Sequence, residues 1–308
     1  MTDLVHALKG ALDYTRLYRG QTFVIKIGGE IVDSQETLDG IAMQAALLES
    51  LSIRLVLVHG GGPQATRLSE RLGIEPELVG GRRVTSPDVL EVCKMVYAGQ
   101  INVDILSALR KHGVRGVGLS GIAGGLITAR RREEVQMRDD DGRVRRVDFG
   151  EVGDVIGVDA GLLDTLLGQH FVPVISSLAA DDDGRPLNIN ADTLAVSLAT
   201  SIGAAKLLVL TSVPGILRDA NDSASIVAYA DPDDLAEMLE SGAIRGGMRP
   251  KVEACVRAVR GGVRRTHIID GRAADALLVE LFTGAGCGTM IVGRREKRDY
   301  RDHELTEE

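Results

Sequence analysis

A lysine within an apolar strand pattern is the first residue in this chain that could do chemistry. Lys26 stands inside the run TFVIKI, residues 22–27, and Gly28 and Gly29 follow the run directly. A buried ammonium group is costly unless it meets an anion, and consecutive glycines leave backbone N–H groups that an anion can approach. The alternative is a lysine whose charged head reaches solvent beside an ordinary turn. For an isolated strand lysine, that alternative is favoured.

A second glycine turn changes the balance. Gly60, Gly61 and Gly62 come shortly after the strand pattern at 54–58, and Pro63 opens a helical pattern. One glycine would serve a tight turn, whereas three glycines at the positive end of a helix favour a phosphate or carboxylate site. Adjacent parallel strands end at one edge of a sheet, so the two turns could cradle both ends of a transferring phosphoryl group. Neither turn matches the dinucleotide fingerprint or the Walker A loop.

Two basic segments lie at predicted helix starts. Arg82 and Arg83 precede a helix capped by Ser86, where an arginine could bind a substrate carboxylate through two parallel hydrogen bonds. Solvation at the surface is the alternative for Arg82. Lys251 falls in the first turn of a later helix, which is unfavourable against the helix dipole unless an anion lies between them. Both segments therefore suit an acidic ligand.

The segment LNINAD offers two amides and a carboxylate just before another helix. Asn188, Asn190 and Asp192 occupy alternate positions, as at a strand end that runs into a helix. Asp192 taken alone is best interpreted as a helix cap. Two amides and one carboxylate within five residues nevertheless make a good cluster for orienting a polar substrate.

These residues must be positioned by alternating strands and helices. Short Val, Ile and Leu runs alternate with stretches of helical period, which is typical of βαβ units around a mostly parallel sheet covered on both faces. The predicted strands are 22–27, 54–58, 114–119, 171–176, 205–210 and 265–270. The predicted helices are 35–51, 63–72, 86–111, 159–169, 190–202, 232–241, 249–261 and 273–282. A charged segment around an Asp-Gly turn predicts an exposed hairpin at 130–148, and a second hairpin precedes the helix at 190.

Composition limits the partners of the chain. Its 308 residues carry a formal net charge of −8, are 3% aromatic and include no tryptophan, which argues against a general nucleic-acid or anionic-membrane surface. Cys93, Cys255 and Cys287 are far apart, so we expect idle thiols in a reducing cytosol, with neither a metal site nor a disulfide. No apolar run approaches the ~20 residues that cross a bilayer. Because the N-terminus lacks a signal-peptide pattern, we expect a cytoplasmic protein.

The first residues predict a separate helix. Leu4, Val5, Leu8, Ala11 and Leu12 recur at helical spacing and form one apolar stripe. The stripe could dock on its own domain or on another subunit, and the sequence favours neither.

Six motifs in fixed order resemble those of the N-acetylglutamate kinases, within the amino acid kinase family. They are IKIGGE, VHGGGPQ, GRRVT, NINAD, LTSVPGIL and GGMRPKVEA, and the likeness runs from Thr22 to Val292. The resemblance implies a three-layer α/β/α sandwich with two lobes, the first for N-acetyl-L-glutamate and the second for ATP. The implied divisions are an N-terminal helix at 1–21, an N-lobe at 22–203, a C-lobe at 204–295 and a charged tail at 296–308. The implied reaction moves the γ-phosphoryl group to the γ-carboxylate in arginine biosynthesis.

The resemblance also implies a role for each matched residue. Lys26 and Lys251 would neutralise the transferring phosphoryl group, and Asp192 would hold both lysines. The substrate-binding residues would be Gly29, Gly61 and Gly62 through backbone N–H groups, Arg83 through the substrate α-carboxylate, and Asn188 and Asn190. The nucleotide-binding residues would be Thr211, Ser212, Val213, Gly215, Ile216, Arg245 and Met248. Mg²⁺ would accompany ATP and bind mainly to its phosphates.

A further likeness concerns regulation. The N-terminal stripe is similar to a helix that interlaces subunits in the arginine-inhibited branch of that family, which implies a homo-oligomer, either a dimer or a hexamer. HIIDG with His267, and LLVELFTGAGCGTMI with Glu280 and Gly286, are similar to the arginine pocket of the same branch.

Two departures from the family pattern affect the site. Ser212 stands where the family usually has aspartate or asparagine, in the nucleotide segment. Ile122 and Ala123 stand where the family commonly has Lys-Asp, so one polar element beside the substrate is lost.

These departures leave two alternatives open. One is a kinase for an N-acetylaminoadipate-type substrate, although Arg83 and Asn188 argue for acetylglutamate. The other is a catalytically silent arginine sensor, which would have no need of Lys26, Lys251 and Asp192 together. The presence of all three favours an active kinase.

Overall fold

The computed structural model describes residues 12–75, 77–79, 82–138, 144–219, 222 and 225–293. The predicted charged tail at 296–308 lies outside these residues, as does most of the predicted N-terminal stripe: Leu4, Val5, Leu8 and Ala11. The described part of that segment is helix α1, residues 12–18.

Strands and helices alternate along the chain, as the apolar runs predict. The strands of the described residues are β1 (Thr22–Ile27), β2 (Arg54–His59), β3 (Leu78–Val79), β4 (Arg82–Arg83), β5 (Gly116–Ser120), β6 (Ile127–Arg131), β7 (Val135–Arg138), β8 (Val144–Val147), β9 (Val152–Val158), β10 (Val172–Ser176), β11 (Leu178–Ala180), β12 (Pro186–Ile189), β13 (Lys206–Thr211), β14 (Tyr229–Ala230), β15 (Arg265–Asp270) and β16 (Thr289–Val292). The α-helices after α1 are α2 (Gln35–Ser50), α3 (Gly62–Arg71), α4 (Pro87–Cys93), α5 (Asn102–Lys111), α6 (Gly161–Gly168), α7 (Ala191–Ser201), α8 (Pro232–Glu240), α9 (Met248–Arg260) and α10 (Ala276–Phe282). All six predicted strands are present, and every predicted helix has a counterpart.

An eight-stranded sheet forms the middle layer. Its order is β14-β16-β15-β13-β1-β2-β10-β5, and neighbours are parallel except for the antiparallel pair β15 and β16. Strand β1 lies between β13 and β2, where Lys26 stands opposite Val209 and Val58. Because β1 and β2 are parallel neighbours, the glycine turns that follow them leave the same edge of the sheet.

Helices cover both faces of this sheet. Because side chains alternate along a strand, Phe23, Ile25 and Ile27 face one core and Val24 faces the other. The first core packs against α2, α4, α5 and α10, and the second against α6, α7, α8 and α9. The predicted three-layer α/β/α sandwich is therefore confirmed, while its division into lobes at 203 stays a prediction. Among the described residues, no helix combines the length and apolar character needed to cross a bilayer.

A small closed barrel of β6, β9, β11 and β12 continues from the carboxyl end of β10. The second predicted hairpin is its antiparallel pair β11 and β12, but the barrel itself was not predicted. The charged hairpin is the antiparallel pair β7 and β8, whose Asp-Gly turn lies outside the described residues. A third core of Val79, Val147, Phe149 and Val152 holds β3 and β4 beside the barrel.

The predicted helix at 86–111 is not one regular α-helix. The segment Lys94–Ile101 is π-helical and joins α4 to α5. Its inner side packs on the second glycine turn, since a Cβ atom on Gly61 would lie 2.4 Å from Ile101 Cδ1 and 2.7 Å from Tyr97 Cδ1. Hydrophobic periodicity alone does not reveal this widened turn, because the apolar positions still fall on one side.

Candidate active site

The two glycine turns meet at the carboxyl edge of the sheet. Gly28 N donates a hydrogen bond to Leu210 O on β13 at 3.1 Å, which fixes the first turn beside that strand. A Cβ atom on Gly29 would lie 2.8 Å from Pro63 Cδ and 3.5 Å from Gly62 N. Only glycine therefore fits at position 29, and the prediction that both turns share one edge is confirmed.

The second turn opens helix α3. The helix begins at Gly62, one residue before the predicted start at Pro63, and its N-cap residue is Gly61. The first N–H groups of a helix have no partner inside it, and a glycine cap has no side chain to supply one. With the positive end of the helix dipole added, this helix start can bind an anion.

Two lysines share one buried carboxylate beside these turns. Lys26 Nζ lies 2.9 Å from Asp192 Oδ1, and Lys251 Nζ lies 3.7 Å from Asp192 Oδ2. Lys26 is 5% exposed and Asp192 is 7% exposed, so bulk water does little to solvate either charge. We call Lys26, Lys251 and Asp192 the two-lysine cluster. Its net charge is positive, and a further anion would complete the pairing.

The lysines keep the shared carboxylate ionised. Burial acts to raise the pKa of Asp192, but the charges of Lys26 and Lys251 outweigh burial and hold this pKa below its ordinary value. The structure thus brings the three predicted catalytic residues together, from β1, α7 and α9.

The helix cap of α7 is not Asp192. Asn190 caps this helix, because its side-chain oxygen accepts from Thr193 N at 2.9 Å. The interpretation of Asp192 as a simple cap is therefore wrong: it lies in the first turn and points to the lysines. The role of Asn190 in substrate binding stays a prediction, with its amide oxygen already engaged.

Arg83 reaches the start of α3 from β4. Its Nη2 donates to Gly62 O at 2.8 Å and to Thr66 Oγ1. Its Nη1 is buried and meets no hydrogen-bond partner among the described residues. A carboxylate is the acceptor that would best satisfy this nitrogen. The geometry therefore fits the predicted contact between Arg83 and a substrate carboxylate.

Asn188 lies on β12 and contacts Thr85, which is two positions after Arg83 in the chain. Its Nδ2 donates to Thr85 Oγ1 at 3.0 Å, and Thr85 is fully buried. On the same edge, a Cβ atom on Gly60 would lie 3.3 Å from Ala191 Cβ, so the glycine turn packs against the start of α7. The predicted substrate residues thus surround one edge of the sheet.

A buried histidine, His59, is hydrogen-bonded to the backbone of the second glycine turn. Asn102 Nδ2 donates to His59 Nε2 at 3.1 Å and to Val174 O at 3.0 Å. Since Nε2 accepts, the ring proton lies on Nδ1, which donates to Gly60 O at 2.9 Å. Burial lowers the pKa of His59 to about 4, so the ring is neutral at neutral pH.

The predicted nucleotide segment follows β13. Thr211 ends that strand, and Arg272 Nη2 donates to Ser212 O at 2.5 Å. A Cβ atom on Gly215 would lie 2.8 Å from Thr289 Oγ1, which excludes any larger residue there. The backbone of this segment is therefore held by groups from β15, β16 and their loops, even though Ser212 departs from the family pattern.

The other predicted nucleotide residues lie near the start of α9. Met248 begins this helix and packs in the same core as Ile216. Arg245 Nε donates to Gly242 O just before the helix, and Val213 is 37% exposed. The two predicted segments are thus joined through one core, and their contact with a nucleotide stays a prediction.

Besides His59 and Asn102, the site contains Gln64, Thr85 and Arg272, whose roles were not predicted from the sequence. Gln64 Nε2 donates to Gly29 O at 2.6 Å, Thr85 holds Asn188, and Arg272 holds Ser212. For Gln64 the available signal was its place directly after GGGP. Thr85 and Arg272 carry no such signal, because their partners are distant in the chain.

The residues predicted to bind arginine line a cavity away from the glycine turns. His267, Glu280 and Gly286 lie there together with Tyr14 and Lys206. His267 Nδ1 donates to Glu280 Oε1 at 2.6 Å, and Lys206 Nζ lies 3.2 Å from His267 Nε2. Gly286 has a φ of +62°, and a Cβ atom there would lie 2.9 Å from Glu280 Oε2. We call Lys206, His267 and Glu280 the Glu280 cluster.

Backbone groups complete the partners of Glu280. Its Oε2 accepts from Cys287 N at 2.8 Å and from Gly288 N at 3.1 Å. Burial acts to raise the pKa of Glu280, but the hydrogen bond from His267 and these N–H groups hold it below its ordinary value. Burial and the charge of Lys206 lower the pKa of His267 to about 4, so this ring is neutral.

Helix α1 docks on its own domain at this cavity. The Tyr18 ring packs against Phe23 and Phe282 with centroids 5.3 and 5.8 Å away. Leu12 and Leu17 are 50% and 57% exposed, so another side of the helix remains uncovered in the single chain. Tyr18 therefore ties α1 to its own domain, and the docking partner of the apolar stripe, of which the structure describes Leu12 alone, stays a prediction.

Known proteins resemble this chain over nearly its whole length. The sequence profile of the amino acid kinase family matches residues 21–270, and the chain belongs to this family. Acetylglutamate kinase of Methanosphaera stadtmanae is 41% identical over 289 residues, which cover 94% of this chain and 97% of that one. Acetylglutamate kinase of Synechococcus sp. (strain RCC307) is 43% identical over 293 residues, which cover 95% of each chain.

Solved structures share the fold. N-acetylglutamate synthase from Neisseria gonorrhoeae, complexed with coenzyme A and N-acetyl-glutamate, gives a TM-score of 0.80 at 29% identity, covering 94% of this chain and 63% of that one. The same synthase complexed with coenzyme A and L-arginine gives 0.77 at 28% identity, with 94% and 65% covered. Carbamate kinase from Giardia lamblia bound to AMP-PNP gives 0.64 at 16% identity, with 89% and 99% covered, and shows the shared fold alone.

Proposed function

We propose that this protein transfers the γ-phosphoryl group of ATP to the γ-carboxylate of N-acetyl-L-glutamate, a step of arginine biosynthesis. The products are ADP and N-acetylglutamyl 5-phosphate. The observation that carries the proposal is the two-lysine cluster, which places two cations on one buried carboxylate beside two opposed glycine turns. Identities of 41–43% to acetylglutamate kinases over nearly the whole chain support the substrate.

The positive charge of the site suits this reaction. Phosphoryl transfer passes through a loose transition state and needs positioning and positive charge more than a covalent catalyst. A γ-carboxylate oxygen attacks the γ-phosphorus, the bond to the bridging oxygen breaks, and ADP leaves with that electron pair. No proton has to move, because the acceptor carboxylate is ionised at neutral pH. Lys26 and Lys251 supply the charge, and Asp192 holds them in place.

Backbone and side-chain donors hold the two reactants. Gly29 N–H binds the phosphoryl group, while Gly61 and Gly62 at the start of α3 bind the γ-carboxylate. Arg83 binds the α-carboxylate through its unpaired Nη1, and Asn188 binds the acetamido group. These assignments place the acceptor and the donor on opposite glycine turns.

ATP binds along residues 211–217 and 243–248 in this proposal, and Mg²⁺ accompanies it. Among the described residues, no three acidic, histidine or cysteine side chains form a group that could hold a metal ion. We therefore assign the ion to phosphate oxygens and water, a mode that Mg²⁺ favours. When bound, it neutralises part of the phosphate charge.

Formation of an acyl phosphate tests the proposal. Protein incubated with ATP, Mg²⁺ and N-acetylglutamate should yield a product that hydroxylamine traps as a hydroxamate. Turnover of N-acetylaminoadipate but not of N-acetylglutamate would contradict the substrate. Absence of product with both substrates would favour the silent arginine sensor.

We further propose that L-arginine inhibits the enzyme by binding beside the Glu280 cluster. A buried carboxylate and backbone groups in one cavity suit a guanidinium ligand, and the related Neisseria gonorrhoeae synthase was solved with L-arginine. The dose curve should be sigmoidal in a dimer or hexamer and should flatten when residues 1–20 are removed. Rates that do not respond to arginine would remove this proposal.

A further inference from the structure

A buried glutamine joins the two glycine turns. Gln64, in the first turn of α3, is 7% exposed. Its Nε2 donates to Gly29 O at 2.6 Å and to Asp33 Oδ1 at 2.9 Å, residues that are 35 and 31 positions away in the chain. One amide group thus holds the turn after β1 against the helix that follows β2.

The orientation of this amide follows from its partners. Gly29 O and Asp33 Oδ1 are both acceptors, so the amide nitrogen must face them, and a flipped amide would set oxygen against oxygen. Gln64 Oε1 is buried and has no hydrogen-bond partner within the part of the chain that the structure describes. Gln64 therefore acts through its two N–H groups, which an ionised glutamate lacks.

The contact leaves little room for the turns to shift. A Cβ atom on Gly29 would lie 2.8 Å from Pro63 Cδ and 3.2 Å from Gln64 Oε1. Arg67 of α3 also binds Asp33, with Nη1 to Oδ2 at 3.1 Å and Nη2 to Oδ1 at 2.5 Å. The Arg67 side chain is 55% exposed, so solvent weakens this outer ion pair. We therefore expect the hydrogen bonds of the buried Gln64 amide to fix the turn more firmly than the ion pair between Arg67 and Asp33.

We propose that Gln64 is a positioning residue that sets the separation of the two glycine turns, and with it the distance between phosphoryl donor and acceptor carboxylate. It acts through Gly29 and touches neither reacting group. The inference rests on the proposed reaction, in which each turn binds one reactant. Without the tie, each turn still binds its own ligand, but the reacting atoms are misaligned, and a displacement of about 1 Å can cost about 10²-fold in rate.

Gln64→Ala and Gln44→Ala form a matched pair. Gln44 is also buried, at 4% exposed, and joins α2 to α10 by accepting from Leu277 N at 2.9 Å, on another part of the sheet. Both variants should lose stability in urea, because each removes the hydrogen-bond partner of a backbone group, Gly29 O or Leu277 N. Only Gln64→Ala should lower kcat, by about 10²-fold, with KM for each substrate within about threefold of the wild-type value.

Gln64→Glu adds a pH readout. An ionised carboxyl at this position repels Gly29 O and Asp33, whereas a protonated carboxyl donates one hydrogen bond to Gly29 O. Burial and the neighbouring acceptor oxygens of Gly29 and Asp33 raise the pKa of the introduced carboxyl, against the charge of Arg67 and the positive end of the α3 dipole, which lower it. The kcat of Gln64→Glu relative to wild type should therefore rise as the pH falls from about 8 to about 5.5, a trend that a role in packing alone would not produce.

The outcomes separate this inference from the reaction on which it rests. An unchanged kcat for Gln64→Ala, an equal kcat loss in Gln44→Ala, or a pH-independent ratio for Gln64→Glu would each overturn the positioning role. In all three cases the wild-type protein would still form the acyl phosphate. Failure of the wild-type protein to form it would instead overturn the reaction.

Discussion

Two buried charge clusters draw their lysines from neighbouring strands of one sheet. The two-lysine cluster takes Lys26 from near the carboxyl end of β1, whereas the Glu280 cluster takes Lys206 from the first position of β13, opposite Phe23. Lys26 lies on the same face as Val24, and Lys206 on the same face as Leu208, which belongs to the other core. The clusters therefore occupy opposite faces and opposite ends of the sheet.

The carboxylates of the two clusters have different partners. Asp192 is paired with two ammonium groups, which leaves buried positive charge. Glu280 instead accepts three N–H groups, from His267, Cys287 and Gly288. Surplus positive charge suits an anion that binds and leaves in every turnover. A carboxylate whose oxygens all accept hydrogen bonds is instead held in one fixed position. In both clusters a lysine on a strand is buried beside a carboxylate, and the other partners of that carboxylate determine what the cluster can bind.

The largest expected contrast is between Lys26→Met and Lys206→Met. Both substitutions replace a buried strand ammonium with an apolar side chain of similar length. Lys26→Met should lower kcat by about 10³-fold or more, the scale for a cation that stabilises a transferring phosphoryl group. Lys206→Met should leave turnover without arginine nearly unchanged and weaken arginine inhibition. Initial rates of acyl phosphate formation measure both, and equal losses of turnover would erase the contrast.

The second contrast concerns the carboxylates. Asp192→Asn leaves two ammonium groups without their counterion, and breaking a buried pair costs about 3–5 kcal/mol. Glu280→Gln should cost less, because its one amide oxygen can still accept from Cys287 N and Gly288 N, and only the bond with His267 is lost. Urea unfolding measures both losses. ATP should raise the stability of Asp192→Asn more than that of wild type, because its phosphates replace the lost negative charge. A smaller effect of ATP on the variant would contradict this account.

The third contrast is in pH dependence. The pKa of His267 is about 4 in the folded protein and about 6.5 when unfolded, so the unfolded chain binds more protons between these values. Stability is therefore lost as the pH falls from about 6.5 to about 4, by on the order of 3 kcal/mol for this residue. His59 contributes in the same direction. Urea unfolding across this range should show a shallower loss in His267→Asn, and an unchanged slope would show that His267 is not buried as a neutral ring.

The smallest expected effect comes from Gly286→Ala. The φ of +62° at this position and the close approach of Glu280 Oε2 oppose a Cβ atom, at a cost of about 1–2 kcal/mol. Gly242→Ala is a suitable control, because Gly242 has a φ of +74° but its Cβ atom would meet only Arg245 Nε at 3.9 Å. Both variants should lose stability, and only Gly286→Ala should shift the arginine dose curve. An equal shift in both would contradict a specific role for Gly286.

Much of the fold follows from the sequence because its central strands are continuous apolar runs. Strands such as β1 and β13 are buried on both faces, and this requirement appears directly in their composition. The barrel strands β6, β9, β11 and β12 are only partly buried, and most of their pairings join distant stretches of chain. Their pairing depends on tertiary contacts that local patterns do not contain.

Site residues could be predicted from the sequence where their charge is energetically unfavourable in the local secondary structure. Lys26 in a strand and Lys251 at a helix start are unfavourable without an anion, and the structure pairs both with Asp192. Lys206 has the same signal, a lysine beside a run of apolar residues, but its partner His267 lies on another strand. Gln64 was missed because a polar residue in the first turn of a helix is not unusual, and only the folded chain shows that its amide is buried.

The π-helical segment ties the number of residues between α4 and α5 to the geometry of the site. Residues 94–101 join α4 to α5, and Asn102, the first residue of α5, supports His59 under the second glycine turn. A π-helical turn is closed by i→i+5 hydrogen bonds and so holds one residue more than an α-helical turn, so deleting one residue from this segment would change the turn that places Asn102 against His59. Because Met95 and Val103 are exposed, we expect substitutions at these positions to leave that alignment unchanged. Sequence divergence among proteins built on this plan should therefore appear here as exchanged residues and not as gained or lost ones.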